Sequence, residues 1–220
     1  VGERVTRFRT GDRVFVAPKV PCLRCRYCKA GHYPQCTEVK ERLPGGFAEY
    51  VLVPEILVRN GTYHLPETMS FDQATFIEPL ACAVRAQKLA GLQEGQTVLV
   101  IGCGMSGLLH MKLARQKGCA ITATDVNQTK LKLAARAGAN VVLPAEGDVC
   151  GQLVAQTGRK ADVVILCAAA EAAVEQAWSE GPASTQALLH PRWSGAKPHA
   201  RPSAAAMRSE VAAPDLMFDG

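Results

Sequence analysis

From Gly95 onward the chain alternates between short apolar runs and longer segments of mixed polarity. Thr97-Val98-Leu99-Val100-Ile101 is an apolar strand-like run, and Gly102 to Lys117 reads as a glycine turn followed by a helix. Ala120 to Asp125 predicts a second strand, with a helix from about Gln128 to Ala137. Val141-Val142-Leu143 predicts a third strand and Val149 to Gln156 a helix. Ala161 to Cys167 predicts a fourth strand, and Glu171 to Trp178 a last helix. Strands alternating with helices at this spacing mean βαβ units and a parallel sheet.

Upstream the signals are shorter. Asp12 to Ala17 reads as a strand closed by Pro18, and Gly45-Gly46 opens a second, Phe47 to Val53, that ends at Pro54. Ser70 is an N-cap candidate after the turn at Pro66, and a helical pattern runs from about Pro79 to Ala90, stopped by Gly91. After Trp178 the pattern stops. Residues 179–220 hold 5 of the 13 prolines and no apolar run longer than four residues, which predicts an irregular or disordered tail that does not continue the sheet. The fourth strand, 162–167, would then be an exposed apolar edge that invites pairing or aggregation. The expected organisation is a β-rich domain over 1–78, a parallel-sheet domain over 79–178 and the tail over 179–220.

Composition narrows the class. The 220 residues are 48% hydrophobic and 20% charged, enough to pack a core. No stretch reaches the ~18–20 consecutive apolar residues of a membrane span. The start, Val1-Gly2-Glu3-Arg4, has neither an initiator Met nor an apolar signal core, so the expectation is a segment from inside a longer sequence in the cytoplasm. Net charge is +5, and residues 1–44 alone carry +6. A basic patch raises nucleic acid as a partner. Few aromatics accompany it, however, and no zinc-finger recognition helix follows the cysteine loop, which argues against a zinc-ribbon nucleic-acid module.

Nine cysteines fall into two groups. Cys82, Cys103, Cys119, Cys150 and Cys167 are scattered and read as small buried hydrophobes. Cys22, Cys25, Cys28 and Cys36 lie in one loop, within a lobe at about 20–40. In a reducing compartment such clustered thiols favour a metal over disulfides. Four thiolates close a tetrahedral shell around Zn2+ and leave no position for water, so the site predicted is structural. The shell would carry a formal −2, and Arg24, Arg26 and Lys29 interleave with the ligands as candidate compensation.

Gly102-x-Gly104-x-x-Gly107 follows a predicted strand and opens a helix, the context a dinucleotide fingerprint requires. Gly102 permits the tight turn, Gly104 lets backbone approach a pyrophosphate, and Gly107 lets helix and strand pack closely. At Met105 and Ser106 the start of the helix presents N–H groups to phosphates. Asp125 ends the next strand 18 residues after Gly107. A carboxylate there accepts from a ribose and repels a 2′-phosphate, which favours NAD over NADP.

On these residues the chain resembles the zinc-dependent medium-chain alcohol dehydrogenases, in the style of the sorbitol and threonine dehydrogenase branch. The resemblance rests on Gly11-Asp12-Arg13-Val14, the four-Cys lobe, Gly45-Gly46-Phe47-Ala48-Glu49-Tyr50-Val51, Glu78-Pro79-Leu80 and the glycine fingerprint with Asp125, and runs to about Ala169. It implies a partial GroES-like catalytic domain followed by a partial Rossmann domain. It also implies hydride transfer between NAD and a secondary alcohol such as a polyol, and homo-oligomers for full-length members. Glu78 resembles the position that binds the catalytic zinc or its water. The family's first catalytic-zinc Cys and its Gly-His-Glu segment have no counterpart here, and His32, His64, His110, His190 and His199 stand at no equivalent position. A catalytic Zn2+ is therefore expected only in a full-length enzyme, and these 220 residues are expected to be weakly active or inactive. A non-catalytic NAD-binding remnant is the alternative.

Overall fold

The computed structural model describes residues 1–180 and 186–189. The chain divides into two units, Val1–Glu78 and Pro79–Gly220.

In the first unit, β1 (Val14–Val16) pairs antiparallel with β2 (Thr62–His64), Val14 opposite His64 and Val16 opposite Thr62. Between them the chain passes through α1 (Arg26–Lys29), a 3-10 turn at Tyr33–Gln35 and α2 (Glu55–Gly61). The core is small: Val20, Val39 and Leu57 pack with Cys28 and Cys36. Gly61 ends α2 against Val20, where a Cβ would sit 2.3 Å from the valine Cγ1. Arg13 fastens the exit of the unit. Its guanidinium donates to the carbonyls of Glu67 (3.3 Å) and Met69 and lies over the Phe71 ring at 4.5 Å. Ser70 then caps α3 (Phe71–Ala74): its hydroxyl accepts from the Gln73 N–H, and the Gln73 side chain accepts from the Ser70 N–H.

Two features of this unit depart from the sequence reading. Phe47 to Val53 forms no strand, and Phe47, Tyr50 and Leu52 are exposed. An apolar run between turn residues signals a strand, but a strand also needs a neighbour's N–H and C=O groups. Among the described residues β1 and β2 pair only with each other. Conversely, α2 and β2 arise in Glu55 to His64, too short a stretch to show either period.

The second unit is a parallel sheet. After α4 (Ile77–Leu89) come β3 (Thr97–Ile101), α5 (Met105–Gln116), β4 (Ala120–Asp125), α6 (Gln128–Ala137), β5 (Val141–Pro144), α7 (Val149–Thr157), β6 (Val163–Leu166), α8 (Glu171–Glu180) and β7 (Gln186–Leu189). Strand order is β5-β4-β3-β6-β7, all parallel. β3 is buried along its whole length because successive side chains enter different cores. Val98 and Val100 join Ile121 and Ala123 under α5 and α6 (Met111, Ala114, Leu131, Ala134). Leu99 and Ile101 join Leu143 and Val164 under α7 and α8 (Val149, Leu153, Val174, Ala177).

β7 corrects the expectation for the tail. Residues after Trp178 do continue the sheet: Gln186 stands opposite Val163 and Leu189 opposite Leu166. β6 is therefore paired on both sides and is not the exposed edge. Four residues with one polar member carry no periodic signal, whereas the open side of β6 offers a ready ladder. The rest of the tail expectation, 181–185 and 190–220, lies outside the described residues. Among those described, no helix is long and apolar enough to cross a membrane.

Candidate functional site

The cysteine lobe is built by backbone. Leu23 takes φ +63°, the left-handed region, and so turns the N–H groups of Arg24 and Cys25 onto Cys22 Sγ (3.4 and 3.2 Å). Cys25 caps α1, its Sγ accepting from the Cys28 N–H at 3.4 Å, and Cys36 Sγ accepts from the Cys22 N–H at 3.3 Å. All four sulfurs lie within 4.8 Å of one another, with Cys28 and Cys36 buried. Zn–S bonds of ~2.3 Å in a tetrahedron put sulfurs about 3.8 Å apart. The Cys22–Cys28 separation is 3.8 Å. Distance, ligand type and count thus fit a structural Zn2+.

The electrostatics of the lobe are divided. Burial raises the Cys36 thiol, but the N–H groups of Cys22, Val39 and Glu38 outweigh it and bring it down to about 6. On Cys22 burial is likewise outweighed, by the N–H groups of Arg24 and Cys25, and the net direction is down. Cys28 is pushed up to about 12, first by burial and then by the hydrogen bond with Cys25. Four thiolates therefore need a cation among them. Of the basic residues expected to compensate them, Arg26 stacks on the Tyr27 ring at 4.5 Å. Peptide N–H groups are the donors that reach the sulfurs.

The glycine turn lies at the carboxyl end of β3, where the connections leave the sheet in opposite directions, toward β4 on one side and toward β6 on the other. Such switch points form the crevices in which open α/β sheets bind ligands. Gly102 has φ +99°, and a Cβ on it would fall 2.9 Å from the Cys167 carbonyl carbon. At Gly107 a Cβ would meet the Gly102 oxygen at 2.0 Å. At Gly104 a Cβ would meet nothing within 4 Å. Two of the glycines are thus demanded by packing, while Gly104 faces open space as the N-cap of α5, with no side chain capping the N–H groups of the first turn. That cradle fits a pyrophosphate. Ser106 sits in the turn beyond, its Oγ 3.6 Å from Cys167 Sγ.

Asp125 ends β4 beside the turn. Its Oδ2 accepts from the Cys103 N–H at 2.7 Å and its Oδ1 from the Asn127 N–H at 2.8 Å. Asn127 in turn caps α6, accepting from Thr129 and Lys130. Neither Cys103 nor Asn127 stood out in the sequence. The middle residue of the Gly-Cys-Gly turn and the polar residue two after the acid were the available signals.

Glu78 is half-buried in the first turn of α4. Among the described residues, the group of three or more His, Cys, Asp or Glu side chains placed to hold a metal is the four-cysteine lobe, and Glu78 is not part of it. His64 stacks on Phe8 (4.8 Å between centroids) and pairs with Asp12 at 3.1 Å. His110 is buried beside Gln87. His190 and His199 lie outside the described residues.

Two family profiles match the chain: the alcohol dehydrogenase GroES-like domain over residues 1–67 and zinc-binding dehydrogenase over residues 107–179. The chain belongs to the zinc-type alcohol dehydrogenase superfamily. Its first unit is GroES-like and carries the structural-zinc lobe, and its second is a Rossmann-like sheet of the kind that binds NAD. Among related proteins, this dehydrogenase-family chain is 34% identical over 187 residues to the uncharacterized zinc-type alcohol dehydrogenase-like protein YdjJ of Escherichia coli K12, covering 80% of this chain and 52% of that one. It is 35% identical over 185 residues to the probable D-xylulose reductase A of Aspergillus terreus, covering 79% and 51%. The fold resembles that of the short chain alcohol dehydrogenase rspB of E. coli CFT073 in complex with NADH, with a TM-score of 0.81, 26% identity, and coverage of 96% and 62%. The chain spans about half the length of the curated relatives it matches.

Proposed function

We propose that this chain is part of an NAD-dependent alcohol or polyol dehydrogenase of the sorbitol and threonine dehydrogenase style, working in a reducing compartment on a secondary alcohol. The observation that carries this reading is the open Gly104 cradle beside Asp125. The backbone at Gly104 and the N–H groups at Met105 and Ser106 would hold the pyrophosphate, and Asp125 would accept from the adenosine ribose. Bound there, NAD supplies the hydride acceptor. The likeness to a D-xylulose reductase supports a polyol or its ketose as the substrate class.

Glu78 is the residue we assign to the catalytic centre, as ligand or as orienter of a zinc-bound water. The described residues do not assemble a catalytic zinc site. Their metal-capable group is the closed four-cysteine lobe, which leaves no position open to substrate. We therefore expect these 220 residues to bind cofactor with little or no turnover. That same observation favours the second reading, a non-catalytic NAD-binding protein. The test is NADH binding by fluorescence, followed by turnover of NAD with xylitol or sorbitol. Binding without turnover is the expected result. Turnover above background would overturn the expectation of inactivity, and failure to bind NADH would overturn the cofactor reading. Tight, steeply salt-dependent binding to DNA would instead support the nucleic-acid module.

A further inference from the structure

The two hydrogen bonds on Asp125 go to different structures. Cys103 is the middle residue of the Gly102-Cys103-Gly104 turn, and Asn127 opens α6. The preceding amide is fixed to the same strand end, since the Gly102 N–H donates to the Thr124 carbonyl at 2.8 Å. Two successive N–H groups of the turn are thus tied to the last two residues of β4. Asp125 is buried, 8% exposed as a residue, so both bonds lie in a site with little competing water. The Cys103 amide is buried with its residue, and Asp125 Oδ2 is its acceptor.

We propose that Asp125 is the positioning residue of the phosphate-binding turn, in addition to any contact it makes with a ribose. This rests on the reading that the crevice takes a dinucleotide. Each carboxylate oxygen has about two acceptor directions. One N–H on each oxygen leaves the outward lone pairs to a ribose diol, so a single side chain sets the turn for the pyrophosphate and reads the sugar beside it. Two fixed donors also hold the carboxylate in one orientation. Replacing Asp125 to admit a 2′-phosphate would therefore loosen the pyrophosphate site too, a cost that a ribose-only residue would not carry. Asp125→Asn turns an NH2 onto one of the two N–H groups and keeps one bond, whereas Asp125→Ala keeps neither.

The test compares ADP with 2′,3′-dideoxy-ADP, which keeps the pyrophosphate and lacks the ribose hydroxyls. Titrations on the chain, Asp125→Asn and Asp125→Ala should show that Asp125→Ala weakens the dideoxy ligand by about tenfold or more, the scale of one hydrogen bond to a charged group, with a smaller loss for Asp125→Asn. Unchanged dideoxy-ADP affinity together with weakened ADP would overturn the proposal and leave Asp125 a ribose contact alone. If Asp125→Ala does not fold, Asp125→Asn carries the comparison. Amide hydrogen exchange gives an independent reading. The Cys103 amide should be protected in the unaltered chain and exposed in Asp125→Ala, and in Asp125→Asn one of the Cys103 and Asn127 amides should lose protection, while Val98 and Leu99 in β3 keep theirs. Fast exchange at Cys103 in the unaltered chain would overturn the proposal. Binding of neither nucleotide by the unaltered chain would overturn the dinucleotide reading instead, and exchange at Cys103 would still decide whether Asp125 pins the turn.

Discussion

Gly104 and Gly107 lie three residues apart, yet a methyl group would act on them in opposite ways. At Gly107 it would press on the Gly102 carbonyl at 2.0 Å, a backbone atom that cannot swing aside. Gly107→Ala is expected to cost about 1–3 kcal/mol, the scale of overpacking, read as a lower denaturation midpoint. At Gly104 the methyl would meet open space at an ordinary φ of −73°. Gly104→Ala should therefore fold with a loss of about 1 kcal/mol or less, the difference between N-cap residues. Its NADH affinity should nonetheless fall, because the methyl stands where backbone must approach the phosphates. Equal effects of the two variants on stability would show that the turn is not packed as described. Cys103 supplies a pH test. Burial, and then the Asp125 carboxylate, push its thiol from 9.0 up to about 12. The fold therefore favours the neutral thiol, so its contribution is intact below pH 9 and is lost as pH rises from 9 toward 12. Cys103 should escape alkylation by iodoacetamide at pH 8 in the folded chain and react once denaturant is added.

The capping box before α3 is the clearest local device at the scale of elements. Ser70→Ala removes the acceptor for the Gln73 N–H, and about 0.5–2 kcal/mol should be lost in the midpoint of the first unit. Ser70→Asn, which keeps a capping oxygen, should recover most of it. This cap was legible in the sequence because it depends on residues three apart. β3, β4, β6 and the helices between them were legible for a related reason: their apolar runs and their glycine stops are local. The glycine turn was legible at the same range, since its chemistry needs fixed offsets along one strand–helix joint. Elements that depend on distant partners were not. Phe47 to Val53 has the apolar content of a strand but no ladder beside it among the described residues, and bends instead at Phe47 to Glu49. β7 has too few residues to announce itself and exists because β6 presents a free side. The Asp125–Cys103 bond spans 22 residues and was legible as an acid at the right place, without its inward role.

Taken whole, the molecule rests its two units on unequal foundations. The second unit buries both faces of its central strand, in two apolar clusters that stand without a metal. The first has a two-stranded ribbon and a core in which two of the five buried members, Cys28 and Cys36, belong to the four-cysteine group. A core that small is marginal by area alone, and a bound metal is the usual supplement. Zinc content is thus a stability variable for one unit and not for the other. The purified chain should hold about one zinc after dialysis against a mild chelator, with a melting curve in which stronger chelation lowers the first unit's transition and leaves the second's in place. Cys36→Ser should reproduce the chelated curve without chelator, because a hydroxyl is a poor zinc ligand while its volume is close to that of the thiol. Far-ultraviolet circular dichroism would follow the second unit, where the long helices lie, and exchange at the Leu57 amide would follow the first. About two zinc ions per chain would contradict the single-cluster reading and point to a second site holding metal alongside the lobe. A chelated chain that keeps Leu57 protected would show that the first unit's core holds without its metal.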